Sequence, residues 1–227
     1  MKGPSHALRA IVALIVLTIT FAATALSQSE QKPNYAILVD NTGSLRTQFP
    51  YVIALSKSIV QRTHQQGPVS LFNFKPYRDL RQPVATVTAG PQSIQSIAAL
   101  EGYLDGLFVI GGQTTLRDAI DFMAQQMNDN AQQLAGEKII ILVTDGEDRV
   151  SKINEDDLLK SLKTSGIKVY AVGLTTELDD PSRGLNESKR SKAEHFLKKL
   201  TKETDGRVVF ASSKNDIDDV VDHLLAK

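Results

Sequence analysis

Tyr35-Ala36-Ile37-Leu38-Val39-Asp40 is an unbroken apolar run halted by an aspartate. A strand with one wet face alternates polar and apolar residues; this run does not, so it reads as a strand buried on both faces, the kind that parallel sheets contain. Lys138-Ile139-Ile140-Ile141-Leu142-Val143-Thr144 repeats the pattern and is halted by Asp145.

Around these two runs, strand and helix signals alternate. Val52, Leu55, Ile59 and Val60 recur at helical spacing within Thr47 to Gln65, and Gly67-Pro68 ends that helix. Val69 to Phe74 and Leu80 to Val87 read as strands that suit a hairpin, the second marked by Pro83 as an edge strand. Pro91 suits the first turn of a helix through Ile94, Ile97, Leu100 and Leu104. Gly111-Gly112 marks a turn before an amphipathic helix of Leu116, Ile120, Met123 and Met127. Helix Glu155 to Thr164, strand Lys168 to Leu174, helix Ala193 to Thr204, strand Arg207 to Phe210 and helix Ile217 to Leu225 complete the chain. Thr175 to Arg190, polar and carrying Pro181 and Gly184, reads as a surface loop. Six strands interleaved with helices predict an α/β fold, a doubly wound, mostly parallel six-stranded sheet with helices on both faces.

Composition narrows the function classes. At 227 residues with 41% hydrophobic and 23% charged residues, the chain suits one soluble globular domain. Lys+Arg and Asp+Glu are equal at 26 each, which offers no electrostatic basis for a nucleic-acid partner. The four histidines lie far apart, without zinc-site spacing, and the absence of cysteine excludes disulfides, iron–sulfur ligation and thiol catalysis.

At the N-terminus, Lys2, His6 and Arg9 precede the apolar run Ile11 to Ala25, and Ala25-Leu26-Ser27 is a small-x-small triplet. Residues 1–27 therefore read as a cleaved signal peptide, 28–33 as a short polar lead and 34–227 as the domain, exported to the periplasm or beyond the cell. An uncleaved N-terminal membrane anchor is the alternative, and a membrane contact is expected only in that case.

In a doubly wound sheet, ligands collect beyond the carboxyl ends of the strands. Both buried runs end there in an aspartate. In Asp40-Asn41-Thr42-Gly43-Ser44, oxygen-bearing side chains fall at every second residue, a spacing that can aim one carboxylate and two hydroxyls at a common point. Thr114, in the Gly-rich turn before a helix, offers a third hydroxyl, and Asp145 a second carboxylate. Oxygen-only donors suit a hard cation, Mg²⁺ or Mn²⁺.

Val39 to Leu45 resembles the Asp-x-Ser/Thr-x-Ser element of von Willebrand factor A domains and their metal-ion-dependent adhesion site, with Thr42 in place of the commoner serine. Gly111 to Ala119 resembles that family's Gly-Thr-x-Leu-x-Asp-Ala turn, and Leu142 to Asp148 the Thr-Asp-Gly-Glu-Asp segment of its bacterial branch. Thr204-Asp205-Gly206-Arg207 resembles the turn before the last strand. The resemblance implies a parallel sheet with one antiparallel edge strand. It implies hydroxyl ligands at Thr42, Ser44 and Thr114, and Asp40 and Asp145 coordinating directly or through water. Gln113 departs from the pattern and leaves Thr115 as the alternative to Thr114, while Glu147 and Asp148 read as a solvated acidic turn.

Other readings of the same residues are weaker. A lone Asp-x-Thr-x-Ser also suits a helix N-cap. A haloacid dehalogenase-like phosphatase places a second aspartate where Thr42 stands, and no sequence around Ser44 resembles a nucleophile elbow. The expected function is divalent-metal-dependent binding of a protein partner, whose acidic residue completes the metal's coordination, without catalysis. A structural domain whose metal only braces its loops is the alternative.

Overall fold

The computed structural model describes residues 31–76, 84–90, 96–130, 136–178 and 188–226. The segment read as a signal peptide, the Pro91 helix start and the Pro181–Gly184 stretch lie outside them.

β1 (Asn34–Val39) is buried along its whole length. Its residues part by alternation, Tyr35, Ile37 and Val39 into one core, Ala36 and Leu38 into the other, as a pleated strand covered on both faces requires. A 3₁₀ turn (Gly43–Gln48) leads into α1 (Phe49–His64), with Pro50 in its first turn, where a missing N–H costs nothing. β2 (Val69–Pro76) and β3 (Val84–Ala89) pair antiparallel, Phe74 opposite Val87. α2 (Ile97–Asp105) begins at Ser96, whose side chain accepts the Ala99 N–H.

The two-residue β4 (Gln113–Thr114) precedes α3 (Leu116–Asp129). β5 (Lys138–Thr144), α4 (Glu155–Thr164), β6 (Ile167–Gly173) and a 3₁₀ turn (Thr175–Glu177) follow. α5 (Lys189–Glu203), β7 (Arg207–Phe210) and α6 (Ile217–Leu225) end the fold. α5 starts four residues before the expected Ala193 because Ser188 caps it, accepting the Ser191 N–H.

The sheet runs β4-β3-β2-β1-β5-β6-β7, with every neighbouring pair parallel except β2 and β3. It is thus mostly parallel with one antiparallel pair, as expected, but β3, read from sequence as the edge strand, is covered on its outer side by β4. The seventh strand is β4, too short to carry a periodic signal. From β1 the chain builds outward through β2, β3 and β4, then returns to the other side of β1 to lay down β5. The order therefore reverses between β1 and β5, and the crevice at their carboxyl ends is where such sheets hold ligands.

α3, α4 and α5 cover one face with Leu116, Ile120, Leu158, Leu197 and Leu200, and α1, α2 and α6 the other with Leu55, Ile59, Leu100, Leu104 and Leu224. Each such side chain contributes about 1.5–3 kcal/mol by leaving water. The strands are thus held by these two cores, which leaves their ends free to carry polar groups. No helix among the described residues is long and apolar enough to cross a membrane.

Candidate metal centre

β1 and β5 pair with Val39 opposite Val143, so Asp40 and Asp145 leave the sheet at the same end of neighbouring strands. The Asp40 N–H still donates to the Val143 carbonyl at 2.9 Å, which holds its backbone to β5. Asp40 is 0% and Asp145 1% exposed.

Both Asp40 oxygens are taken by donors. Oδ1 accepts the Thr42 N–H at 3.0 Å and the Thr42 hydroxyl at 2.7 Å; Oδ2 accepts the Thr144 hydroxyl at 2.7 Å. A hydroxyl that gives its hydrogen to Asp40 keeps its lone pairs for another partner. Thr42 Oγ1 in turn lies 3.3 Å from Ser44 Oγ. Asp145 is served on one side only: Oδ1 accepts the Glu147 N–H at 2.9 Å, while Oδ2 is buried without a hydrogen-bond partner.

No Lys, Arg or His pairs with either carboxylate among the described residues. Burial pushes the Asp40 carboxyl above its ordinary range, against the pull of the Thr144 and Thr42 hydrogen bonds. Burial, then the charge of Asp40, pushes Asp145 up to about 7, although the Ser44 hydroxyl and the Glu147 N–H favour its charged form. Two adjacent buried carboxylates are costly unless a cation joins them, and carboxylates beside hydroxyls are a donor set that a hard cation would fit. Among the described residues no three of His, Cys, Asp and Glu gather, so a centre here depends on its hydroxyls.

Thr114 is buried in β4, and its carbonyl accepts the Arg149 N–H at 3.0 Å, which ties it to the loop that follows Asp145. The adjacent Thr115 hydroxyl is committed elsewhere, donating to the Ala85 carbonyl at 2.7 Å. Asp118 fastens the start of α3 to the same loop by accepting the Lys152 N–H at 2.9 Å and the Ile153 N–H at 3.0 Å.

Glu147 and Asp148 are not the solvated turn expected from sequence. Their side chains are only 11% exposed and are tied down by cations, Arg149 beside them and Arg117 and Lys189 from distant segments. Glu147 pairs with Arg149 at 2.6 Å and Lys189 at 3.0 Å; burial raises its pKa, but these cations outweigh that and hold it below its ordinary value. Asp148 accepts the Arg117 N–H at 2.8 Å and pairs with its guanidinium at 3.4 Å.

Two further residues build the site. The Thr144 hydroxyl donates to Asp40 and accepts the Gly146 N–H at 3.0 Å, which links the two aspartates; its signal was a hydroxyl at the end of an otherwise apolar strand. Asn41 accepts the Phe74 N–H at 2.9 Å and donates to the Phe108 carbonyl at 3.0 Å, joining β2 to the loop before β4. Its sequence signal, one Asn beside Asp40, does not separate it from a turn residue.

The family model of the von Willebrand factor type A domain matches residues 34–223. No curated protein matches the chain at a significant level. Among solved structures, an aerotolerance-related membrane protein from Bacteroides fragilis is similar at 18% identity and TM-score 0.57, over 84% of this chain and 96% of that one. Protein BatB from Bacteroides thetaiotaomicron is similar at 15% identity and TM-score 0.58, over 85% and 97%. The pilus adhesin SpaC from Lactobacillus rhamnosus GG is similar at 17% identity and TM-score 0.56, over 87% of this chain and 31% of that one. At these identities the likeness speaks for the fold, and the family match spans nearly the whole described domain, from β1 into α6: the chain belongs to the von Willebrand factor type A domain family.

Proposed function

We propose that this domain is an exported interaction module that binds a protein partner through a divalent cation. The observation that carries the reading is the pair of buried carboxylates, Asp40 and Asp145, with no cationic side chain on either and one Asp145 oxygen without a donor. Ser44, Thr42 and Thr114 offer the hydroxyls, and Asp145 Oδ2 the free carboxylate oxygen. Thr114 takes this role rather than Thr115, whose hydroxyl is already given to Ala85. Asp40 acts chiefly by orienting Thr42 and by its charge.

Mg²⁺ or Mn²⁺ bound there supplies a Lewis-acid position for a partner's carboxylate oxygen, since neutral hydroxyls leave much of the ion's charge uncancelled. The role is binding. The family match and the likeness to an adhesin fold support it, and the apolar run Ile11 to Ala25 behind Lys2 and Arg9 supports export.

Calorimetric titration of Mg²⁺ into EDTA-treated protein tests the centre. One saturable site is expected, absent in Asp145→Ala protein that still melts cooperatively. The same titration curve for both proteins overturns the reading.

A further inference from the structure

The large apolar side chains that stand exposed among the described residues are Phe108, at 70%, and Val150, at 37%. Single exposed apolar residues are ordinary; these two share an address. Phe108 precedes Ile110, which bridges to Thr42, and Val150 lies in the loop that follows Asp145. Both therefore stand on loops that carry the candidate metal centre.

Neither is loosely held. The Phe108 carbonyl accepts from Asn41 Nδ2 at 3.0 Å and the Ile110 N–H donates to the Asn41 carbonyl at 2.8 Å, while on the preceding side the Leu107 N–H donates to the Leu104 carbonyl at 3.1 Å, so the backbone on both sides of the ring is pinned. Val150 sits between Arg149, whose N–H donates to Thr114, and Ser151, whose N–H donates to Asp148 at 3.3 Å. An aromatic ring presented on a fixed backbone loses little freedom on binding, which is why such residues dominate interface energetics. At the same end of the domain, Arg46 on the turn of Ser44 and Lys75 at the end of β2 are exposed and form no ion pair among the described residues.

Resting on the metal-dependent reading above, we propose that Phe108 and Val150 form the apolar contact of the partner surface. The occupant is an acidic protein segment in which the carboxylate that reaches the metal is flanked by apolar side chains. The flanking groups cover Phe108 and Val150, and remaining acidic charge faces Arg46 and Lys75.

Fluorescence anisotropy with two synthetic peptides tests this. One carries a central glutamate flanked by leucine and phenylalanine; in the other, serines replace both. In Mg²⁺ the first peptide should bind about tenfold more tightly, the ratio expected when one interface anchor is lost. That preference should shrink severalfold in Phe108→Ser and in Val150→Ser, proteins whose cooperative melts show that they fold, and EDTA should abolish both bindings. Equal affinity for the two peptides, a preference untouched in both variants, or no binding of either peptide by protein that Mg²⁺ does stabilise, overturns the proposal and leaves the metal centre standing. Absence of any Mg²⁺ response overturns the metal reading itself. A Mg²⁺-dependent dimer of the chain alone, dissolved by Phe108→Ser, names a second copy as the occupant and overturns the assignment to an acidic segment.

Discussion

Burial, and then the charge of Asp40 just past the end of the neighbouring strand β1, raises the pKa of Asp145, and both carboxylates are buried. A group held in this way is a destabilising element until a cation joins it. Replacement by the neutral isostere should therefore act in opposite directions with and without metal. In EDTA, Asp145→Asn should melt at or above the parent temperature. In Mg²⁺ at a hundredfold excess over its dissociation constant, the parent should gain about 2.7 kcal/mol. For a chain of this length that is roughly 5–10 °C, and the variant should gain almost none of it. Differential scanning calorimetry in the two buffers checks both arms.

The same pair sets the pH dependence. The Asp145 carboxyl rises from 3.8 to about 7 on folding, so between those values the folded protein holds more protons than the unfolded chain. Its contribution to stability is then full at the acid end and is lost as pH rises toward 7, opposite to an ordinary salt-bridged aspartate. In EDTA the melting temperature should fall as pH rises through this window, and Asp145→Asn should flatten the fall. Because Mg²⁺ must displace the proton, its affinity should rise over the same window. Melting curves and Mg²⁺ titrations at stepped pH measure both slopes.

Thr144 ties Asp40 to the Gly146 backbone through one hydroxyl. Thr144→Val keeps the shape but leaves Asp40 Oδ2 and the Gly146 N–H without their shared hydroxyl. A cost of about 1–3 kcal/mol in urea unfolding is expected. Mg²⁺ affinity should drop roughly 10–100-fold, as for other residues that orient a ligand. Thr144→Ser, which restores the hydroxyl, should recover most of both.

Gly146 has two reasons to be glycine. Its φ is +79°, and a Cβ there would stand 2.9 Å from Leu197 Cδ1 on α5. Gly146→Ala should destabilise by about 1–3 kcal/mol, more than an exposed Gly-to-Ala change, because the strained backbone and the contact add. Equilibrium unfolding measures the difference, and Gly166→Ala, at φ +61° with open space around it, separates the backbone part from the contact.

Sequence reading reached the strands for a simple reason. Central parallel strands have no wet face, so β1 and β5 appear as unbroken apolar runs, and the residue that stops each run marks the ligand end of the sheet. Helix starts were less legible where a single side chain decides them, as Ser188 does for α5. β4 was invisible, since two residues hold no period.

The chain's own order of residues determined the α/β fold, the strand-end position of Asp40 and Asp145, and the family to which these belong. What only the tertiary structure decided was who faces whom. The pairing of β1 with β5 brings together two carboxylates more than a hundred positions apart. Ion pairs from Arg117 and Lys189 draw Glu147 and Asp148 out of solvent. Hydrogen bonds from Asn41 fix the backbone around Phe108, whose ring stays in water although its residue type belongs in a core. Local sequence encodes the period of a strand or helix, because neighbouring residues set it; burial, charge compensation and exposure depend on partners that arrive from elsewhere in the chain.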